Sequence, residues 1–125
     1  MAHVIILSGS KFNEDPRIPR IQRSLGPYRI ASELKKHGYR AVVIEYTQYM
    51  SDEEILNAIS KELTPETLWL GYSSTFFYAR RDGKVAMIND NLLKMYQSTP
   101  YERVCKIYDF VKSNSNAKIV FGGAY

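Results

Sequence analysis

The sequence predicts an open α/β domain with a mostly parallel sheet. Three observations carry this. Short apolar, β-branched runs recur at Val4–Leu7, Ala41–Ile44, Leu68–Tyr72 and Lys118–Phe121. Segments with helical apolar spacing lie between them, and that alternation is the pattern of parallel crossover units. Small and polar residues gather where the runs end, which is where open α/β sheets bind ligands. The expected fold is doubly wound, Rossmann-like or flavodoxin-like, with about four strands flanked by helices.

The elements follow in chain order. Val4–Leu7 is a continuous apolar run, as in a strand buried on both faces. It ends in Ser8-Gly9-Ser10. Residues 10–25 are polar and contain Pro16, Pro19, Arg17, Arg20 and Arg23. They read as a long loop with a helical turn after Pro19, and a loop of that length is more often functional than idle. A helix is predicted over Pro27–His37. Pro27 suits the first helical position, Pro27, Ile30, Ala31 and Leu34 form one stripe, and Gly38 suits a left-handed cap. A second strand follows over Arg40–Tyr46.

Ser51-Asp52-Glu53-Glu54 has the form of a capping box. The helix it opens carries Ile55, Leu56, Ile59 and Leu63 on one face. Thr64-Pro65-Glu66 is a turn, and Leu68–Tyr72 is the third strand, ending in Ser73-Ser74-Thr75. Asp82-Gly83 between two apolar segments signals a hairpin insertion over residues 76–90. A short helix from Asn91 to Tyr96 follows it. Thr99-Pro100-Tyr101-Glu102 is a second capping box. The helix behind it places Val104, Ile107, Tyr108 and Val111 at helical spacing. Lys118–Phe121 is the fourth strand, ending in Gly122-Gly123.

Composition narrows the function. The 125 residues, 45% hydrophobic and 24% charged, suit one globular domain covering residues 1–125. No apolar run approaches the ~20 residues of a membrane span. A net charge of +4 without a dense basic stripe argues against nucleic acid as partner. The ten tyrosines are dispersed, as half-buried residues rather than a base-stacking module. The single cysteine, Cys105, rules out an internal disulfide and any multi-thiolate metal site. It fits a reducing, cytoplasmic setting, and its place beside an apolar stripe suggests a small buried hydrophobe.

The strand ends hold the candidate binding residues: Ser8, Gly9, Ser10, Tyr46, Ser73, Ser74, Thr75, Gly122 and Gly123. Hydroxyls and free amides at Ser8–Ser10 could hold a phosphate, as in flavodoxin-type loops. A phosphate loop normally runs straight into a helix, and here Glu14-Asp15-Pro16 intervenes, so a plain turn accounts for it as well. Neither the dinucleotide nor the P-loop glycine fingerprint occurs. Gly122-Gly123 permits close approach by a flat ligand. His3 opens a strand and His37 closes a helix, and neither has the partners of a catalytic histidine.

Several stretches together carry a family resemblance. They are Ser24-Leu25-Gly26-Pro27-Tyr28-Arg29-Ile30-Ala31, then Leu34, His37-Gly38-Tyr39 and Val42-Val43-Ile44-Glu45-Tyr46. With Leu70–Phe76 and Lys118–Tyr125 they resemble the N-terminal cobalamin-binding-like domain of radical S-adenosylmethionine enzymes. The resemblance leaves out residues 10–20 and 77–98, and Gly26–Ala31 is its most specific piece. It implies a module that holds a corrinoid and its nucleotide tail at the strand ends. Ser73, Ser74, Gly122 and Gly123 match positions lining the tail pocket. The Ser8–Ser10 loop and the helix start at Gly26 and Pro27 would face the same cavity.

Two departures qualify what is implied. The D-x-H-x-x-G motif, whose histidine ligates cobalt, is absent. Cobalamin, if bound, would have no protein histidine on its metal. The C-x-x-x-C-x-x-C motif is also absent. The iron–sulfur cluster, S-adenosylmethionine and the catalysis would then belong to a downstream radical S-adenosylmethionine domain, with this chain no enzyme by itself. The chain ends just after the Gly-Gly of its fourth strand, so the domain is expected to be incomplete at its C-terminus. Two other readings stay open. One is a flavodoxin-like flavin-binding protein using Ser8–Ser10. The other is a ligand-free interaction domain docking through Arg17–Arg23 and exposed tyrosines.

Overall fold

A computed structural model of the chain describes residues 1–12, 21–23, 25–47, 50–73 and 100–122. Its centre is β1 (Val4–Leu7), and all four residues of that strand are buried. β1 pairs in parallel with β4 (Ala41–Ile44) on one side and β5 (Trp69–Ser73) on the other, and β5 pairs in parallel with β6 (Lys118–Gly122). The spatial order is β4-β1-β5-β6. This is the all-parallel, open Rossmann-like or flavodoxin-like sheet that the sequence predicts. A strand flanked on both sides and covered on both faces has no solvent face, which is why β1 reads as an unbroken apolar run.

The segment after β1 corrects one expectation. Residues 10–12 and 21–23 are not part of a continuous loop with a helical turn. They form strands β2 (Ser10–Phe12) and β3 (Ile21–Arg23), paired antiparallel as a separate two-stranded sheet. Three residues per strand are too few to give a readable alternation.

Helix α1 (Leu25–Lys36) starts two residues before the predicted Pro27. Pro27 still falls in the first turn, where its missing amide costs no helical bond. At the other end Gly38 takes φ +85°. The Gly38 amide donates to the Lys35 carbonyl and the Tyr39 amide to the Leu34 carbonyl, both at 3.1 Å. That is the Schellman closure, and glycine is favoured because the left-handed conformation crowds a Cβ. Of the predicted α1 stripe, Pro27 and Ala31 are buried and Leu34 packs on the core. Ile30 is about half exposed instead.

Helix α2 (Asp52–Glu62) is capped as the sequence predicts: the Ser51 hydroxyl accepts from the Glu54 amide at 3.2 Å. Ser51→Ala therefore lowers stability by about 1 kcal/mol, read as a lower denaturant midpoint at unchanged slope. Helix α3 (Pro100–Asn114) buries Ile107 and Val111, with Val104 partly covered. Tyr108 and Cys105, expected in or beside that stripe, are both exposed. Tyr108 instead lies under the Lys112 ammonium, 5.8 Å from the ring centre. The predicted hairpin at 76–90, the helix at 91–96 and Thr99 fall outside the described residues.

Two cores sit on the two faces of the sheet. Ile5, Leu7, Ile44, Leu70 and Tyr72 pack against Ile55 and Ile59 of α2 and Ile107 and Val111 of α3. Val4, Ile6 and Ala41 pack against Ala31 and Leu34 of α1, with Trp69 beside them. The sheet is thus wound on both faces, but unevenly. Among the described residues α1 alone covers its face, and it lies over the β1–β4 half. On that face β5 and β6 carry no helix among the described residues, and the site described next lies there. No helix among them is long and apolar enough to cross a membrane.

Candidate functional site

Alternation along β5 sends Trp69, Gly71 and Ser73 to the α1 face and Leu70 and Tyr72 to the other. The register places Val120 beside Gly71 and Gly122 beside Ser73. The part of the α1 face that no described helix covers is therefore built largely from small residues next to one indole. A cavity of about 210 Å³ opens there, between the sheet and the first turns of α1. Ile6 and Gly71 form part of its floor, Gly26, Pro27 and Ile30 its helix wall, and Val120 and Gly122 its outer side. Ser73 and Gly122 lie at the carboxyl ends of their strands.

Glycine has a physical role at two of these positions. At Gly71 an added Cβ would lie 2.8 Å from Cζ3 of Trp69, because the six-membered ring of the indole occupies that space. At Gly122 an added Cβ would meet nothing within 4 Å. The first glycine lets a ring lie against the strand, and the second leaves open volume at the mouth.

The lining has almost no polarity. Among the described residues none of its side chains carries a charge at neutral pH, and Ser73 supplies a hydroxyl. Tyr72 also borders the cavity, but its ring belongs to the opposite core, stacked on Phe121 with centroids 4.9 Å apart. Burial pushes its phenol well above the ordinary range, and Cys105 adds to the shift. The phenol stays neutral, so it offers no anion.

Of the candidate residues read from sequence, four meet in this cavity: Gly26, Pro27, Ser73 and Gly122. Ser8 and Gly9 are buried outside it. The Ser8 amide donates to the Ile44 carbonyl, its carbonyl accepts from the Thr47 amide and hydroxyl, and its own hydroxyl donates to the Gly9 carbonyl. These bonds join the ends of β1 and β4. Ser10 enters β2 rather than a helix. Tyr46 leaves β4 with φ 61°, a left-handed turn, and is not among the cavity residues. Ser74, Thr75 and Gly123 lie outside the described residues.

No family model, curated protein or solved structure matches the chain.

Sequence reasoning left out Ile6, Ile30, Trp69, Gly71, Tyr72 and Val120 as cavity residues. The available signal was the two-residue alternation of β5, which puts Trp69, Gly71 and Ser73 on one face. A glycine inside a strand also marks a close approach.

A second polar feature escaped the sequence altogether. Arg103, 1% exposed, donates from Nε to Asp52 Oδ1 at 2.7 Å and from its terminal nitrogens to the carbonyls of Thr47 and Met50. Lys106 donates to Asp52 Oδ2 at 2.9 Å. This cluster ties the start of α3 to the turn between β4 and α2. It is structural in geometry, with its donors directed at protein acceptors. Among the described residues no group of three or more His, Cys, Asp or Glu could hold a metal ion. His3 accepts the Arg40 amide at 2.9 Å at the start of β1, and His37 lies near Glu33 at the end of α1.

Proposed function

We propose that this chain is a binding module for a cobalamin-type cofactor, working in the cytoplasm as a partner of a downstream radical S-adenosylmethionine domain. The observation that carries the reading is the meeting of Gly26, Pro27, Ser73 and Gly122 around one apolar cavity. These residues come from distant parts of the chain, and the family resemblance selects all four, along with Ser8–Ser10, Ser74 and Gly123.

Size decides how such a cofactor would sit. An apolar cavity of about 150 Å³ holds a benzene-sized ring. The cavity of about 210 Å³ then has room for a compact ring system and not for a corrin macrocycle. The base of the nucleotide tail would lie between α1 and the sheet, with Ser73 as a hydrogen-bonding side chain, and the phosphate and the macrocycle would stay outside. Both histidines of the chain lie at the opposite end of the sheet from this cavity, so neither would serve as a ligand to a cobalt held beside it. When bound, the cofactor supplies its cobalt as the reactive centre; the residues of this chain bind, orient and shield.

The flavodoxin-like alternative needs Ser8–Ser10 free for a phosphate. The burial of Ser8 and the entry of Ser10 into β2 remove that support. The interaction-domain alternative draws support from exposed Leu25, Val120 and Phe121.

Titration with hydroxocobalamin, followed by absorbance and calorimetry, tests the proposal. The expected result is saturable binding at micromolar concentration, weakened at least tenfold, or ~1.4 kcal/mol, by Gly122→Phe. A Cβ at this position meets nothing within 4 Å among the described residues, and far-ultraviolet circular dichroism establishes that the variant is folded. No binding at high micromolar concentration overturns the reading.

A further inference from the structure

We infer that Trp69, seated by Gly71, makes the cavity selective for an uncharged planar ring and is the specificity-determining residue of the site. The location rests on the binding-module reading above; the selectivity is argued from the cavity's own chemistry.

The indole position comes first. Cζ3, Cε3 and Cη2 of Trp69 lie 2.8, 3.4 and 3.9 Å from the place a Cβ would take at Gly71. All three atoms belong to the six-membered ring, so that ring crosses the strand at Gly71. Any other residue there would displace it. The sequence thus spends a glycine inside a sheet strand, where glycine is unfavourable, to keep an aromatic surface against the cavity. Trp69 is only partly buried, so part of that surface stays available to a ligand. Aromatic rings attract one another in offset-stacked or edge-to-face geometry beyond the effect of buried area.

Charge comes second. Ile6, Pro27, Ile30 and Val120 are aliphatic, and Gly26, Gly71 and Gly122 have no side chain. An anionic ring entering this site would lose water and meet no counter-charge among the described lining residues, which is unfavourable. Ser73 at the strand end is suited to one hydrogen bond with a ring nitrogen or carbonyl. Any phosphate on the ligand has to remain in solvent. The ligand class is therefore a neutral one- or two-ring aromatic group, free or as the end of a larger molecule.

Trp69 is the sole tryptophan of the chain, so its emission reports this cavity alone. The experiment titrates the full chain near neutral pH with benzimidazole, an uncharged two-ring probe, and with its anionic 5-carboxylate. Benzimidazole is expected to change the emission saturably at submillimolar concentration, and the carboxylate to bind at least tenfold more weakly. By calorimetry, Trp69→Leu is expected to weaken benzimidazole binding at least tenfold, and Trp69→Phe, which keeps a ring, to lose less. Far-ultraviolet circular dichroism establishes that both variants are folded. Equal affinity for the two probes, equal affinity of Trp69→Leu and the parent, or no benzimidazole binding up to about 10 mM overturns the inference. Benzimidazole binding without hydroxocobalamin binding leaves it standing and removes the cobalamin reading. Hydroxocobalamin binding that Trp69→Leu does not alter does the reverse.

Discussion

Arg103→Met is expected to lower the unfolding free energy by about 3–5 kcal/mol, a large part of what holds a domain of this size together. The Arg103 and Asp52 side chains are only 1% and 5% exposed, so neither can exchange its partner for water. Methionine fills much of the same volume but leaves the Asp52 carboxylate and the carbonyls of Thr47 and Met50 short of their strongest donor. Lys106→Met is the control. Lys106 reaches the same carboxylate, but its side chain is 50% exposed, so its loss costs under about 1 kcal/mol. Denaturant midpoints at constant slope measure both. Equal midpoints for the two variants would show that burial of the arginine contributes nothing. The expected difference has a structural reason. Arg103 joins α3 to the turn after β4, which holds Tyr46 in its left-handed conformation and Thr47 against Ser8. The strand ends keep their arrangement through this link.

That cluster also marks a limit of what the sequence discloses. Asp52 reads as the first acidic residue of a helix, and its position there is real. Arg103 reads as a polar residue on an amphipathic helix. Nothing local relates two residues in different helices, because contact between α2 and α3 is settled only when both lie on the same sheet face. The elements themselves were legible because each has a local cause. β1 is apolar throughout because it is central, α2 has its Ser51 cap, and α1 has its glycine closure. Where the local signal is short, reading failed. β2 and β3 have three residues each, too few for alternation, and their pairing joins residues from opposite ends of a polar stretch. The cavity was half legible. Gly26, Pro27, Ser73 and Gly122 stand at element ends, where small residues attract notice. Trp69, Gly71 and Val120 lie inside strands and look like ordinary core. What makes them a site is that they line one cavity with the first turns of α1. That meeting of distant segments leaves no mark on the strand residues themselves. Ile30 illustrates the same point: its spacing fits the α1 stripe, yet it is half exposed and lines the cavity.

Gly71→Val is expected to destabilise the fold by about 1–3 kcal/mol while altering the cavity. Two opposing effects decide the sign. Valine suits a strand and restricts the unfolded chain, which favours the variant by roughly 0.5–1 kcal/mol. Against that, the new Cβ would stand 2.8 Å from Trp69 Cζ3, well inside the ~3.5–4.0 Å at which carbon atoms rest. The backbone of β5 cannot yield, because it is paired to β1 on one side and β6 on the other. The indole has to move, giving up its packing beside Val4, Ile6 and Ala41. Steric displacement should outweigh the strand preference, and the Trp69 emission should shift as the ring changes environment. A double-mutant cycle separates the two effects. In a Trp69→Leu background the obstructing ring is gone, so Gly71→Val should become neutral or stabilising there. A loss of the same size in both backgrounds would mean that Gly71 serves the backbone of β5, and that the placement of the indole is not the reason glycine stands at this position.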